Sequence, residues 1–413
     1  MSKIAMNPRI LLVGSGFSGI TNYFREHGYD YTILKDRLTT KRPDAKLKHR
    51  VVCDFSDMPA VLELVKTLPQ FDGVMAVYER YITATAEIAT HLGLPALPLE
   101  AARACTDKSL MRELFATAPK QISPDFTEVN SEDDVRNFAA THDFPLIIKP
   151  ANLSKSLLVT KNDNLDQLLE NYQRTVAQIA AVYAKYAPHT TPKILVEEFL
   201  VGRNHSVDAF IGTNGVPRVL EQVVDYEIGH EIGFDDSFQY SRFIPSRLNP
   251  EEQTALRECA ALGIRALGIK NSPAHTEIIM TKDGPRIVEI GARNGGYREH
   301  MHALANGIDI FGAAIAVALG REPHIQATKN ESVAVLELFP KMPGDFVGIT
   351  HEAELRGLPS FLDVRVKAKP GTFVGKAADG FKMCAIVELH HADPQQIKND
   401  MAYILGHVAV QTQ

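Results

Sequence analysis

The sixteen residues from His275 to Ile290 restrict the fold of this chain more than any other stretch. Both flanks alternate and are rich in β-branched residues, and Lys282-Asp283-Gly284 between them is a turn signal, so the segment reads as a β-hairpin. A turn centred on Asp283 sets Glu277 opposite Glu289, Ile279 opposite Ile287 and His275 opposite Gly291. Ile278, Met280, Val288 and Ile290 then form a wholly apolar face suited to burial. Two carboxylates directly opposite each other, with Cβ atoms about 5 Å apart, repel unless a cation lies between them. A hard divalent ion shared between carboxylates and substrate phosphates is the usual magnesium arrangement of nucleotide enzymes. The facing requires an odd loop length, because a two-residue turn would put the carboxylates on opposite faces. Pro285 lacks the N–H of the tightest turn and favours a wider loop. Two solvated strand carboxylates are the other reading of the same residues.

The rest of the chain must therefore build a nucleotide enzyme around that hairpin or leave it as surface. With 413 residues, 45% of them hydrophobic and 23% charged, there is material for two or three domains. A net charge of −6 gives no basic footprint for nucleic acid or an anionic membrane. Cys53, Cys105, Cys259 and Cys384 lie far apart with no CxxC pair, which argues against a zinc site or a disulfide framework and fits a reducing cytoplasm. No signal peptide or membrane span is expected, and the default is a soluble cytoplasmic enzyme.

Along the chain, residues 1–105 alternate βα and predict a small doubly wound, Rossmann-like sheet. It comprises a strand at 9–14, a helix at 18–27, strands at 31–34 and 51–53, a helix near 58–68 and a strand at 73–77. The prolines of Leu94-Pro95-Ala96-Leu97-Pro98 mark a boundary, and a helix is expected over 106–116. A strand, Leu146 to Pro150, precedes a long helix at 165–187, a strand at 193–200 and a β-rich stretch. Pro250 then opens a helix to about 267. Residues 329–413 read as a small C-terminal α+β unit ending in a helix at 394–405.

Several motifs have two readings. Gly14-Ser15-Gly16-Phe17-Ser18-Gly19, with Asp36 after the next strand, matches the dinucleotide fingerprint GxGxxG, and equally any tight βα turn. Lys149 ends an apolar strand where it could meet phosphate, or water. Ser154-Lys155-Ser156 could donate to phosphate in a covering loop that lacks the usual glycines. Glu289, Gly291 and Arg293 share one face if the strand stays extended, so Arg293 could offset developing charge or pair with a glutamate. His275 lies on the face of Glu277, and Gly295 follows in the glycine-rich run Gly291 to Gly296. Glu227 and His230, in the acid-rich segment 225–233, could line a pocket that receives an ammonium group.

The order of these elements decides between readings that none decides alone. Asp107-Lys108, the strand Phe144 to Pro150, the polar loop, Val196-Glu197-Glu198-Phe199-Leu200, His275-Thr276-Glu277 and Val288 to Arg293 together closely resemble the ATP-grasp superfamily over about residues 106–325. Phe243 to Leu248 and the run Ala274 to Gly296 look most like its L-amino-acid ligase branch, related to biotin carboxylase and carbamoyl-phosphate synthetase. The resemblance implies an N-terminal Rossmann-like domain (1–105), a two-lobed ATP-grasp domain (106–328, with a mobile lid at about 143–200) and a small C-terminal domain. It implies an ATP-dependent carboxylate–amine ligase working through an acyl phosphate on amino acids or small polar acids, with ATP and two Mg2+ ions (Mn2+ as substitute), and a possible homodimer. Lys108 and Lys149 would bind phosphates under the loop 151–158, and Glu197, Glu198, Phe199 and Leu200 would meet the adenine. Asn204, with His205 beside it, would occupy the ribose position, Glu277 and Glu289 would be the metal ligands, and Arg293 would steady the acyl phosphate. Three departures stand out: the glycine-poor loop, Gly291 where Asn is frequent, and Asn204 where Glu is frequent. An NAD(P)- or flavin-dependent oxidoreductase built on the GxGxxG turn and a catalytically inactive ATP-binding protein are the alternatives.

Overall fold

The structure is a computed structural model describing residues 7–14, 18–40, 49–153, 157–187 and 190–413. The continuous apolar run of the first strand, Arg9–Gly14, is explained by its place inside a four-stranded parallel sheet. Its neighbours are Asp30–Asp36 and Gly73–Ala76, with Arg50–Cys53 at the edge. Ile10 to Val13 are wholly buried because helices cover the faces of a parallel sheet. One such helix, Ile82–His91, leads to Leu99–Thr106 and Lys108–Phe115. The last of these is the helix expected over 106–116, and Leu99–Thr106 is an additional helix before it. Asp107 leaves helical geometry between them, and its carboxylate caps the second by accepting from the Ser109 and Leu110 N–H groups. Lys108 thereby becomes the first residue of a helix.

A four-stranded antiparallel sheet follows, in the order Phe126–Glu128, Ile194–Glu198, Leu146–Pro150, Thr160–Asn162. The long helix Leu165–Tyr186 packs on it through Leu168, Tyr172, Ile179 and Tyr183. The largest sheet has nine strands. Its path runs Gly284–Gly291, Ser272–Thr281, Gly202–Ile211, Val224–Ile228, Gln239–Ile244, Ser332–Leu338, Ala385–His391, Phe361–Val366, with Pro217–Val219 paired to the third of these. Strands from the C-terminal segment therefore extend the sheet that carries the hairpin. The boundary we propose at 328/329 cuts neither sheet nor core cleanly, since Val224, Ile244, Met301 and Ala305 pack in one cluster with Val333, Val335 and Ile386, but two larger cores lie mostly to either side of it. One core lies under the helix Pro250–Ala266 and the other includes Leu336, Leu389 and Ile404. No single helix among the described residues is long and apolar enough to cross a membrane.

The hairpin forms, but not by the route its sequence suggests. Thr281 pairs with Gly284, so the loop is the two residues Lys282-Asp283, and its even length would by itself turn the two glutamates apart. A β-bulge restores them: Ile278 pairs with Ile287 while Glu277 pairs with Glu289, leaving Val288 as the extra residue. The expected pairing of Ile279 with Ile287 is overturned for the same reason. The buried apolar face is Ile278, Ile287 and Ile290, while Val288 is only half-buried. Ile287→Ala should accordingly cost about 2–5 kcal/mol by cavity formation and Val288→Ala about 1 kcal/mol or less. Denaturant unfolding of the two variants measures this, and the reverse order would rule out the bulged register.

Candidate functional site

Glu277 and Glu289 lie opposite each other on the hairpin, on the face shared with Ser206 of the next strand. Lys108 reaches across from its helix start, with Nζ 2.8 Å from Glu289 Oε2 and 3.3 Å from the Leu153 carbonyl at the base of the covering loop. Gln239 Nε2 donates to Glu277 Oε2 at 3.1 Å. Arg293 Nε donates to Glu79 Oε2 at 2.7 Å and Nη1 to the Asn294 carbonyl at 3.1 Å. Glu79 comes from the short helical turn that follows the parallel strand Gly73–Ala76. Its carboxylate occupies the space a side chain at position 291 would need, 2.9 Å from the ideal Cβ of Gly291. Burial, reinforced by Glu289, raises the Glu79 carboxyl, whereas Lys108 holds Glu289 below the usual carboxylate range.

Lys149 forms the second cationic point. Its Nζ is 2.5 Å from Glu197 Oε2, and Arg112 holds the same carboxylate through Nε at 3.1 Å. Arg112 Nη2 also donates to the Val288 carbonyl, the bulged residue, at 2.7 Å. Burial pulls the Lys149 ammonium down to about 8, with Glu197 opposing and Arg112 and Lys108 adding to the effect. Glu197 itself is held low by Arg112 and Lys149 despite its burial. This corrects one expectation: the Glu197 side chain is the centre of a buried ion cluster rather than a contact on a nucleotide base. Glu198 N–H donates to the Asp125 carbonyl, and its carboxylate accepts from the Asp125 N–H at 2.9 Å. Phe199 and Leu200 are half-buried, with Lys161 Nζ 5.1 Å from the Phe199 ring.

A buried polar network lies behind Glu277. His275 Nδ1 is 2.8 Å from Asp208 Oδ1, and its Nε2 is 3.8 Å from Glu277 Oε1. Arg298 adds bonds to Asp208, to Ser206 Oγ at 2.8 Å and to Tyr226 Oη at 2.6 Å. Burial would lower His275, but Asp208 raises it to about 10, so the ring remains an imidazolium at neutral pH. That contribution to stability is complete below the unfolded value near 6.5 and is lost as pH rises through about 10. Gly295 packs on this ring, and a Cβ there would fall 2.5 Å from His275 Nδ1.

Other sequence-derived candidates lie elsewhere. His205 is buried on the opposite face of the sheet, 2.8 Å from Asp225, because strand alternation turns it away from Ser206 and Glu277. Glu227 shares that opposite face, bonded to Ser241 and 3.3 Å from Arg247 Nη1. His230 is exposed on the short helix Gly229–Ile232. Asn204 is half-buried opposite Ile279 on the hairpin side. Ser154, Lys155 and Ser156 lie outside the described residues. So do residues 15–17 of the GxGxxG turn; the ideal Cβ of Gly14 falls 1.9 Å from the Tyr81 ring, which accounts for that glycine by packing. Sequence reasoning missed Glu79 and Arg112. The first sits beyond the carboxyl end of a parallel strand, where open α/β sheets place ligands. The second lies four residues after Lys108 on the same helical face.

Residues 142–300 match the model of the ATP-grasp domain. The chain carries an ATP-grasp domain. It is 26% identical over 270 residues to the alanine–anticapsin ligase of Bacillus subtilis, covering 63% of this chain and 56% of that protein's length. The fold matches the L-amino acid ligase from Bacillus licheniformis with a TM-score of 0.82 and 21% identity, over 99% of both chains. The biotin carboxylase domain of a Hydrogenobacter thermophilus 2-oxoglutarate carboxylase, solved with MgADP and bicarbonate, matches at a TM-score of 0.71 and 13% identity, over 98% of this chain and 91% of that one.

The ATP-grasp domain holds its hairpin carboxylates as a pair: among the described residues no group of three or more His, Cys, Asp or Glu side chains is placed to hold a metal ion. Two facing carboxylates fit a hard divalent cation only if phosphate and water complete its shell. The Lys149 cluster gives a test. ATP affinity should be constant below pH 8 and fall by up to about tenfold per pH unit above it, as the free ammonium is lost. Lys149→Met should flatten that slope. A calorimetric titration series from pH 6.5 to 9.5 measures both, and an equal slope in the variant would dismiss Lys149 as the titrating group.

Proposed function

We infer that this protein is an ATP-dependent carboxylate–amine ligase that releases ADP and phosphate. The observation that carries the reading is the convergence of Glu277, Glu289, Lys108 and Arg293 within one half-buried cluster, with Lys149 buried on the facing sheet. The similar proteins support it: one is named an alanine–anticapsin ligase, and a matching solved structure is an L-amino acid ligase. Glu277 and Glu289 would hold Mg2+, with two ions the arrangement we propose and Mn2+ a substitute. When bound, the metal supplies neutralisation of phosphate charge and alignment for in-line transfer.

The side chains do the positioning. A carboxylate oxygen of the acid attacks the γ-phosphorus of ATP as the bond to ADP breaks, and Lys108 and Lys149 offset the charge on the transferred group. The resulting acyl phosphate lies beside Arg293, whose Nη2 has no hydrogen-bond partner among the described residues and is available to its oxygens. The neutral amine then attacks the acyl carbon, phosphate leaves, and the amine gives up a proton. No side-chain nucleophile takes part. Glu79, half-buried and held in its charged form by Arg293, would offer a carboxylate to a substrate ammonium, which favours α-amino acids. We place the enzyme in the cytoplasm.

ADP release measured against a matrix of amino acids, each offered as acid and as amine, should require both partners. Glu289→Ala should lower that rate at least about a hundredfold with an unchanged circular dichroism spectrum. Undiminished turnover in the variant would overturn the metal assignment. ATP binding without ADP formation across the whole matrix would point to an inactive nucleotide-binding protein.

A further inference from the structure

One side chain that no sequence motif marks out touches both halves of the site. Arg112 is 1% exposed, on the helix Lys108–Phe115 between the two sheets. Towards the smaller sheet, its Nε and Nη2 hold Glu197 at 3.1 and 3.4 Å, the carboxylate on which Lys149 rests. Towards the larger sheet, Nη2 donates to the Val288 carbonyl at 2.7 Å. That carbonyl belongs to the one residue of its strand that has no pairing partner. A bulged carbonyl in a buried setting needs a donor, and without one the strand gains by returning to regular pairing. Regular pairing from Thr281–Gly284 onwards would set Glu277 opposite Val288 and turn Glu289 to the other face.

We propose that Arg112 is a positioning residue for the nucleotide–metal site. Its bond to Val288 keeps the bulge, and with it the facing of Glu277 and Glu289, while its bonds to Glu197 fix the anchor of Lys149. The planar guanidinium can serve both sheets at once. A lysine ammonium at the end of a flexible stem does not reproduce that fork. The proposal rests on the reading of Glu277 and Glu289 as ligands of the divalent ions.

The test is Mn2+ binding, followed by electron paramagnetic resonance of the free ion, at a saturating concentration of a non-hydrolysable ATP analogue. Arg112→Lys should weaken Mn2+ binding by about tenfold or more, the usual effect of removing an outer partner of a metal site. Glu197→Gln breaks the same buried pair but leaves the bond to Val288, and should keep wild-type Mn2+ affinity while weakening the analogue itself. If Arg112→Lys binds Mn2+ as the wild type does, or if Glu197→Gln loses it equally, Arg112 has no specific role in facing the carboxylates. Should Arg112→Lys fail to fold by circular dichroism, the double variant Arg112→Met with Glu197→Gln leaves neither buried charge of that pair, and the same loss of Mn2+ affinity is expected of it. Glu289→Gln is the control for the underlying reading. Undiminished Mn2+ binding there would refute the ligand assignment, independently of the outcome at Arg112.

Discussion

The Val288 carbonyl, turned out of the hairpin ladder and held by Arg112 at 2.7 Å, determines the face on which Glu289 lies. A side-chain period of two makes strand register an all-or-none property, so one extra residue moves every later side chain to the other surface. The two-residue loop and the bulge are each incompatible with facing glutamates and together produce them. The arrangement also explains why the hairpin is anchored from outside. Its own hydrogen bonds favour the regular form, since the bulge leaves a residue unpaired, whereas a charge-assisted bond from a buried guanidinium favours the bulge.

Beyond the hairpin, the same face of the nine-stranded sheet carries a row of charges that neutralise one another. Asp208 lies between His275 and Arg298, Tyr226 accepts from Arg298, and Arg242 lies 3.4 Å from Glu337, which accepts from Tyr297. Burying so many ionised groups is favourable only while each keeps its partners. A substitution at any one leaves a buried charge exposed to low dielectric, and the damage is transmitted to Glu277 through His275. Rigid glutamates are obtained by making the layer beneath them intolerant of change.

Much of this was legible in the sequence. The apolar strand Ile10 to Val13 shows its burial on both faces, and Pro250 with Glu252 gives the helix start that Asn249 caps. The opposition of Glu277 and Glu289 could be read because burial of one hairpin face fixes the other. The bulge could not be read: nothing local distinguishes Val288 from a strand residue, and the donor that stabilises it lies 176 residues away. His205 and Glu227 were misassigned for a related reason. An acid or histidine in a strand has the same appearance whichever face it occupies, and alternation assigns the face only once a neighbour is fixed. Glu197 read only as an adenine contact implied by resemblance, because its partners, Arg112 and Lys149, come from other elements and leave no local sign. Short-range patterns identify elements, while the pairing of charges across elements is a property of the assembled chain.

The continuation of the large sheet into Ser332–Leu338, Ala385–His391 and Phe361–Val366 has a consequence for how such chains can be cut and recombined. Removing the C-terminal segment would strip Gln239–Ile244 of one neighbour and leave a raw edge in a sheet whose far end carries the glutamates. An unprotected edge of that kind seeks another strand, its own or a stranger's. Exchange of C-terminal units between relatives is therefore constrained by strand pairing first and substrate choice second: a replacement must bring a strand able to dock on Gln239–Ile244 before it can bring a new specificity.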